Sequence, residues 1–179
     1  DIYMQSKSWP HGVIYECNGE RMPGGYWAGG QAYIVNARDG LEYARRNWRS
    51  LGQLDLRAYF VDTTSAVQMY QSYKSGDTLT RSQDLANKVE MLRFFKSRGV
   101  VLGSEEGADF AVPYLDWNEN RHTRQPGESV PLWPLVFHDA VIASRYTSDD
   151  DGAKWAGGTV PASHYPLWLE DMLWGYAVM

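Results

Sequence analysis

The chain has little cysteine, no clustered basic charge and no long apolar run, and each shortage removes a class of function. Cys17 is its one cysteine, so neither an intrachain disulfide nor a thiolate metal cluster can be built. Lysine and arginine are dispersed and the formal net charge is −5, which leaves no basic stripe for nucleic acid. No apolar stretch is long enough to cross a bilayer, and no signal peptide is read. The compartment stays open between cytoplasm and secretion.

Motif absences narrow the field further. No Gly-x-Gly-x-x-Gly follows a strand; Gly24-Gly25 and Gly29-Gly30 lie in a Trp/Tyr-containing loop instead, which disfavours a dinucleotide fold. No His-x-His or His-Glu-x-x-His pattern supports a zinc hydrolase, and no Gly-x-Ser-x-Gly elbow supports a serine nucleophile. Asp149-Asp150-Asp151 lacks the spacing, glycine and closing glutamate of an EF-hand loop and reads as a solvated acidic turn. No metal site and no cofactor are expected.

Large aromatics are plentiful, with 8 Trp and 12 Tyr among 179 residues. They suit a core of large side chains and equally suit a sugar site, where flat rings stack on a pyranose.

The pattern alternates strand and helix. Strands are expected at Gly12 to Cys17, Ala32 to Val35, Ala58 to Val61, Val100 to Leu102, Ala111 to Leu115 and Leu132 to Phe137. Helices are expected over Asp39 to Trp48, capped by Asn36 or Asp39, and over Arg81 to Ser97, capped by Thr80 or Ser82. In the second, Leu85, Val89, Leu92 and Phe95 recur at helical spacing, and Arg81 is assigned to its surface. Further helices are expected at Asp139 to Tyr146 and Tyr165 to Val178, with a polar loop at Ser148 to Gly158. Non-alternating apolar strands between helices predict a parallel sheet in an α/β fold. The fold class is a (β/α)8 TIM-barrel-like catalytic domain, incomplete because a barrel needs roughly 200 residues or more. Residues 1–179 read as one partial domain. The start in mid-pattern at Asp1 and the stop inside an apolar segment predict an excerpt of a longer protein.

Two acidic positions end strand-like runs: Asp62 after Ala58-Tyr59-Phe60-Val61, and Glu105-Glu106 after Val100-Val101-Leu102-Gly103-Ser104. One helix separates them, so a βαβ unit would set both at one sheet edge, where barrel chemistry resides. Asp62 has a plain alternative as the cap of a helix starting in Asp62-Thr63-Thr64-Ser65. Adjacent acids after a buried strand are costly unless paired or solvated. Neighbouring strands lie about 4.8 Å apart, which meets the carboxyl spacing of glycosidases. Asp62 is read as nucleophile and Glu105 as acid/base, with Glu106 the rival for the second role. Candidate substrate-binding residues are Trp27, Asp109, Asp116, Trp117, His138 and Asp139, beside the turn-rich group Arg121, His122 and Arg124. Asp116-Trp117 is expected at the end of the strand Ala111 to Leu115, and His138-Asp139 at the end of Leu132 to Phe137, where the pair could equally cap a helix.

Three strings carry a resemblance: Tyr59 to Thr63, Val100 to Pro113, and Val130 to Asp139. Together they resemble barrel glycoside hydrolases of the α-N-acetylgalactosaminidase-type families and their relatives. The resemblance implies a retaining enzyme with an Asp nucleophile at one strand end and a Glu acid/base at the next, which match Asp62 and Glu105. Glu106 stands where that pattern expects a small residue, so the identity of the acid stays open. It also implies a longer enzyme with flanking β domains, and an oligosaccharide or glycoconjugate substrate containing an α-galactosaminide or α-galactoside. Two rivals remain: a non-catalytic carbohydrate-binding or scaffold segment, and a metal-dependent polysaccharide deacetylase, which the missing ligand pattern opposes.

Overall fold

The computed structural model describes residues 1–66, 68–120 and 132–145. They form two compact units, one of residues 1–56 and 67–98, the other of residues 57–66 and 99 onward.

In the first unit, β1 (Ile2–Tyr3), β2 (Pro23–Trp27) and β3 (Gly30–Tyr33) make an antiparallel sheet in the order β1-β3-β2. The glycine-rich stretch read as loop is a hairpin, with Trp27 opposite Gly30 and Pro23 opposite Tyr33. Glycine weakens strand propensity, but the ladder pairs backbone groups, and Gln31 Nε2 adds a bond to the Gly24 carbonyl at 3.0 Å. The strand expected at Gly12 to Cys17 is reduced to single bridges, Val13 to Val35 and Tyr15 to Arg21. Val13 and Ile14 are both buried, so the segment lacks the one-sided exposure of a sheet surface.

Helix α1 (Ala37–Leu51) starts at Asn36, whose side chain accepts from the Asp39 N–H at 2.9 Å. Helix α2 (Arg81–Lys96) starts at Thr80 with a full capping box: Thr80 N–H donates to Gln83 Oε1 at 2.9 Å and Gln83 N–H to Thr80 Oγ1 at 3.3 Å. The helices meet through Trp48, edge-on to Phe94 at 6.3 Å and Phe95 at 5.8 Å. The buried stripe of α2 is Asp84, Lys88, Leu92 and Phe95, so it is only half apolar. Asp84 accepts from the backbone N–H groups of Ala37 (3.2 Å) and Tyr70 (3.0 Å) and lies 3.4 Å from Lys88 Nζ. Burial pushes the Lys88 ammonium below its ordinary range, and Asp84 partly offsets this.

The second unit is a four-stranded parallel sheet: β4 (Ala58–Val61), β5 (Val101–Glu105), β6 (Trp117–Asn120) and β7 (Ile142–Arg145), side by side in chain order. The α/β class with a parallel sheet is therefore present. Several boundaries differ from the sequence reading. Leu132–Phe137 is a helix, α3, not a strand; Pro134 falls within its first turn, where a missing N–H costs nothing. The helix expected from Asp139 is instead a turn leading into β7, where the apolar Val141-Ile142-Ala143 run enters the strand. Ala111 to Leu115 is not extended: a 3-10 turn spans Asp109–Ala111 and turns follow. Short apolar runs carry no periodicity that separates helix from strand. The expectations for Ser148 to Gly158 and Tyr165 to Val178 lie outside the described residues.

Candidate active site

The register of β4 on β5 pairs Val61 with Ser104, so Asp62 and Glu105 are the next residues in line at the carboxyl ends of adjacent parallel strands. Asp62 does not cap a helix. A turn follows it, and α2 begins 19 residues later on its own Thr80 cap. Glu105 is paired in register with Glu119 on β6, giving the row Asp62, Glu105, Glu119. Sequence reasoning missed Glu119. Trp117-Asn118-Glu119-Asn120 has neither an apolar run nor alternation, and only the pairing identifies it as a strand.

Side chains alternate between faces along a strand. Leu102 and Ser104 take one face of β5 and are fully buried. Val101, Gly103 and Glu105 take the other. Next to them, Phe60, Val101 and Ile142 are 37, 50 and 62 % exposed, an apolar face open beneath the acids. Phe60, Gly103 and Trp117 share one register line, and the two rings meet at 5.2 Å and 31°. A β-carbon at Gly103 would stand 2.3 Å from the Trp117 indole, so glycine is required for this aromatic floor. Gly107 likewise leaves room for the ring of Trp133, which would meet a β-carbon there at 2.2 Å.

The residues just after each acid adopt left-handed backbone, Thr63 at φ 55° and Glu106 at φ 52°. For β-branched Thr63 this is a strained conformation that the surroundings must enforce. Bonds between the two strand ends do so. Ser65 Oγ lies 2.9 Å from the carbonyls of both Glu105 and Glu106, Ser104 Oγ donates to the Val61 carbonyl at 2.6 Å, and Glu106 N–H donates to the Glu119 carbonyl. The Asn118 side-chain amide, the Ser144 hydroxyl and Trp133 Nε1 are buried without hydrogen-bond partners among the described residues.

The other candidates do not join this row. Asp116 and Trp117 open β6 rather than ending a strand. The Asp116 carboxylate accepts from Leu102 N–H at 2.8 Å, its N–H donates to the Leu102 carbonyl at 2.8 Å, and its carbonyl accepts from Ile142 N–H at 3.0 Å. Those bonds tie three strands at the edge where they begin. His138 and Asp139 follow a helix, in the turn that leads into the start of β7; His138 Nδ1 is 2.7 Å from the Pro134 carbonyl. Asp109 is exposed in its 3-10 turn and accepts from Phe110 N–H at 2.8 Å. Trp27, expected in a loop, ends β2 of the first unit and is exposed. Arg121, His122 and Arg124 lie outside the described residues. Among the described residues, no cluster of His, Cys, Asp and Glu could hold a metal ion, and no helix is long and apolar enough to cross a membrane.

The model of the glycosyl hydrolases related to GH101 family, GH129, matches residues 3–125. The chain belongs to this family. None of the curated proteins matches the chain. Among solved structures, α-N-acetylgalactosaminidase NagBb from Bifidobacterium bifidum is similar in several forms. Its quadruple mutant has TM-score 0.70 and 26 % identity over 79 % of this chain and 25 % of its own. Its GalNAc complex has TM-score 0.70 and 25 % identity over 79 % and 25 %. The ligand-free form has TM-score 0.69 and 25 % identity over 79 % and 26 %. The GH129 chain described here therefore spans about a quarter of the length of these structures.

Proposed function

We propose that this chain carries the catalytic carboxylates of a retaining glycoside hydrolase that cleaves α-linked N-acetylgalactosamine. The observation that carries the reading is the parallel register that makes Asp62 and Glu105 consecutive at two adjoining strand ends. Adjacent strands about 4.8 Å apart suit the roughly 5–5.5 Å carboxyl separation of retaining enzymes better than the wider spacing of inverting ones. The GalNAc complex of NagBb supports the choice of sugar.

In this mechanism the Asp62 carboxylate attacks the anomeric carbon while Glu105 gives its proton to the glycosidic oxygen, and the leaving alcohol departs. Glu105, now a carboxylate, takes a proton from water. The water oxygen then displaces Asp62 from the anomeric carbon, and the sugar leaves with its original configuration. Glu105 is preferred over Glu106 because it is the last strand residue and shares its register with Glu119, whereas Glu106 has already turned out of the strand at positive φ. Trp117 is assigned to the floor beneath the acids, with Phe60. The sheet is assigned to a (β/α) barrel: its strands follow chain order with no reversal, and the exposed Phe60, Val101 and Ile142 face suits an inner wall. No redox or nucleotide cofactor enters any step.

The test is hydrolysis of aryl α-glycosides of N-acetylgalactosamine, galactose and glucose by the longest form of the protein, alongside Asp62→Ala and Glu105→Gln. Cleavage of the first glycoside, with about 10²- to 10⁴-fold loss in each variant on a substrate with a poor leaving group, supports the reading. Unchanged rates in both variants overturn it.

A further inference from the structure

The two acid-bearing strand ends are joined by a pair of serines that the mechanism above does not use. Ser65 and Ser104 are 4 and 0 % exposed. Ser104 immediately precedes Glu105, and its hydroxyl donates at 2.6 Å to the carbonyl of Val61, which immediately precedes Asp62. Ser65, three residues beyond Asp62, returns the contact. Its N–H donates to Ser104 Oγ at 3.4 Å, and its hydroxyl lies 2.9 Å from the carbonyls of both Glu105 and Glu106. A hydroxyl carries one proton and two lone pairs, so Ser65 shares its proton between two carbonyls, while Ser104 donates once and accepts once. Each strand end is thus held by a side chain from the other.

The contacts sit where the backbone needs them. Between Val61 and Ser65 the chain passes through Asp62 and the strained Thr63, and it closes with Ala66 N–H on the Thr63 carbonyl at 3.1 Å. On the facing strand, Glu105 lies between Ser104 and the positive-φ Glu106, both of which contact Ser65. Left-handed backbone at a non-glycine residue persists only where the surroundings over-determine it, and here both such residues border a candidate catalytic carboxylate.

We infer that Ser65 and Ser104 are positioning residues, a reciprocal clamp that sets the separation and aim of Asp62 and Glu105. This rests on the reading of Asp62 and Glu105 as the catalytic pair. Both serines are buried and bond to backbone carbonyls, so they act through the strand ends. The clamp acts on rate because double displacement fixes the distance between the carboxyls, and a shift of about 1 Å in a reacting group costs roughly 100-fold.

The experiment measures kcat and KM on an aryl α-N-acetylgalactosaminide for the longest form of the protein and for Ser65→Ala, Ser104→Ala, the double variant and Ser65→Thr. Amide hydrogen exchange at Thr63 to Ala66 and at Glu106 is followed in the same proteins. The expected result is a kcat lower by about 10- to 100-fold in each alanine variant, with KM within a few-fold of the parent and faster exchange at those amides. The double variant loses less than the product of the single losses, because both serines belong to one network, and Ser65→Thr, which keeps the hydroxyl, recovers most of the rate. An active parent whose alanine variants keep kcat while exchange accelerates overturns the inference: the serines then hold the fold alone. A folded parent that cleaves no glycoside overturns the glycosidase reading, and the positioning role with it.

Discussion

Glu105 and Glu119 stand opposite one another in the ladder between β5 and β6. In the proposed mechanism Glu105 gives a proton to the glycosidic oxygen, and Glu119 is its partner in register. Glu119→Gln keeps the size of that side chain and removes its charge. The expected outcome is a lower kcat on an aryl α-N-acetylgalactosaminide with a poor leaving group, with KM within a few-fold of the parent. An unchanged kcat separates Glu119 from the proton transfer.

Gly103 is the point where the aromatic floor meets the backbone. The Trp117 ring occupies the space a β-carbon would need, 2.3 Å away, and leans on Phe60 across it. Gly103→Ala must push the indole aside or bend β5. A loss of roughly 1–3 kcal/mol is expected, the usual cost of overpacking, read from the denaturant midpoint. Trp117→Ala in the same background should recover part of that loss by removing the clash.

The first unit carries a pH-dependent contribution of its own. Burial pushes the Asp77 carboxyl up, but the hydrogen bond and charge of Arg38, with help from Lys74, outweigh this and hold it below the ordinary carboxylate value. A carboxylate so lowered stabilises the fold fully above its unfolded value, and the gain is lost as pH falls through the lowered one. Asp77→Asn should therefore lower stability near neutral pH by at most about 1 kcal/mol, since the pair is partly exposed, and the difference from the parent should shrink as pH falls through the lowered value. Thermal unfolding of both proteins across pH 2–7 checks the sign.

Much of this was legible in the chain. The βαβ run from Ala58 to Glu105 was readable because α2 has a real cap at Thr80 and apolar residues at helical spacing, and because β4 and β5 are apolar runs ending in acids. From that stretch alone, Asp62 and Glu105 fall at one edge. Beyond Glu105 the signal failed for physical reasons. β6 is Trp-Asn-Glu-Asn and is held by pairing rather than by an apolar pattern, so Glu119 went unseen and Asp116 was set at the wrong edge. Leu132–Phe137 and Ile142–Arg145 are too short for periodicity to distinguish helix from strand. The Ser65 and Ser104 contacts run between residues 39 to 43 positions apart and leave no trace in local sequence.

Asp62 as nucleophile and Glu105 as acid/base predict opposite configurations for a rescued product. Asp62→Ala and Glu105→Ala, each in the longest form of the protein, are given an aryl α-N-acetylgalactosaminide with a good leaving group and sodium azide, and the glycosyl azide is assigned by proton NMR. With Asp62 gone, azide takes the place of the nucleophile, and the product should be the inverted β-azide. With Glu105 gone, the glycosyl–Asp62 intermediate still forms and azide displaces it, so the product should be the α-azide. Exchange of the two products between the variants would reverse the roles, and no azide adduct from either variant beside an active parent would contradict the pair.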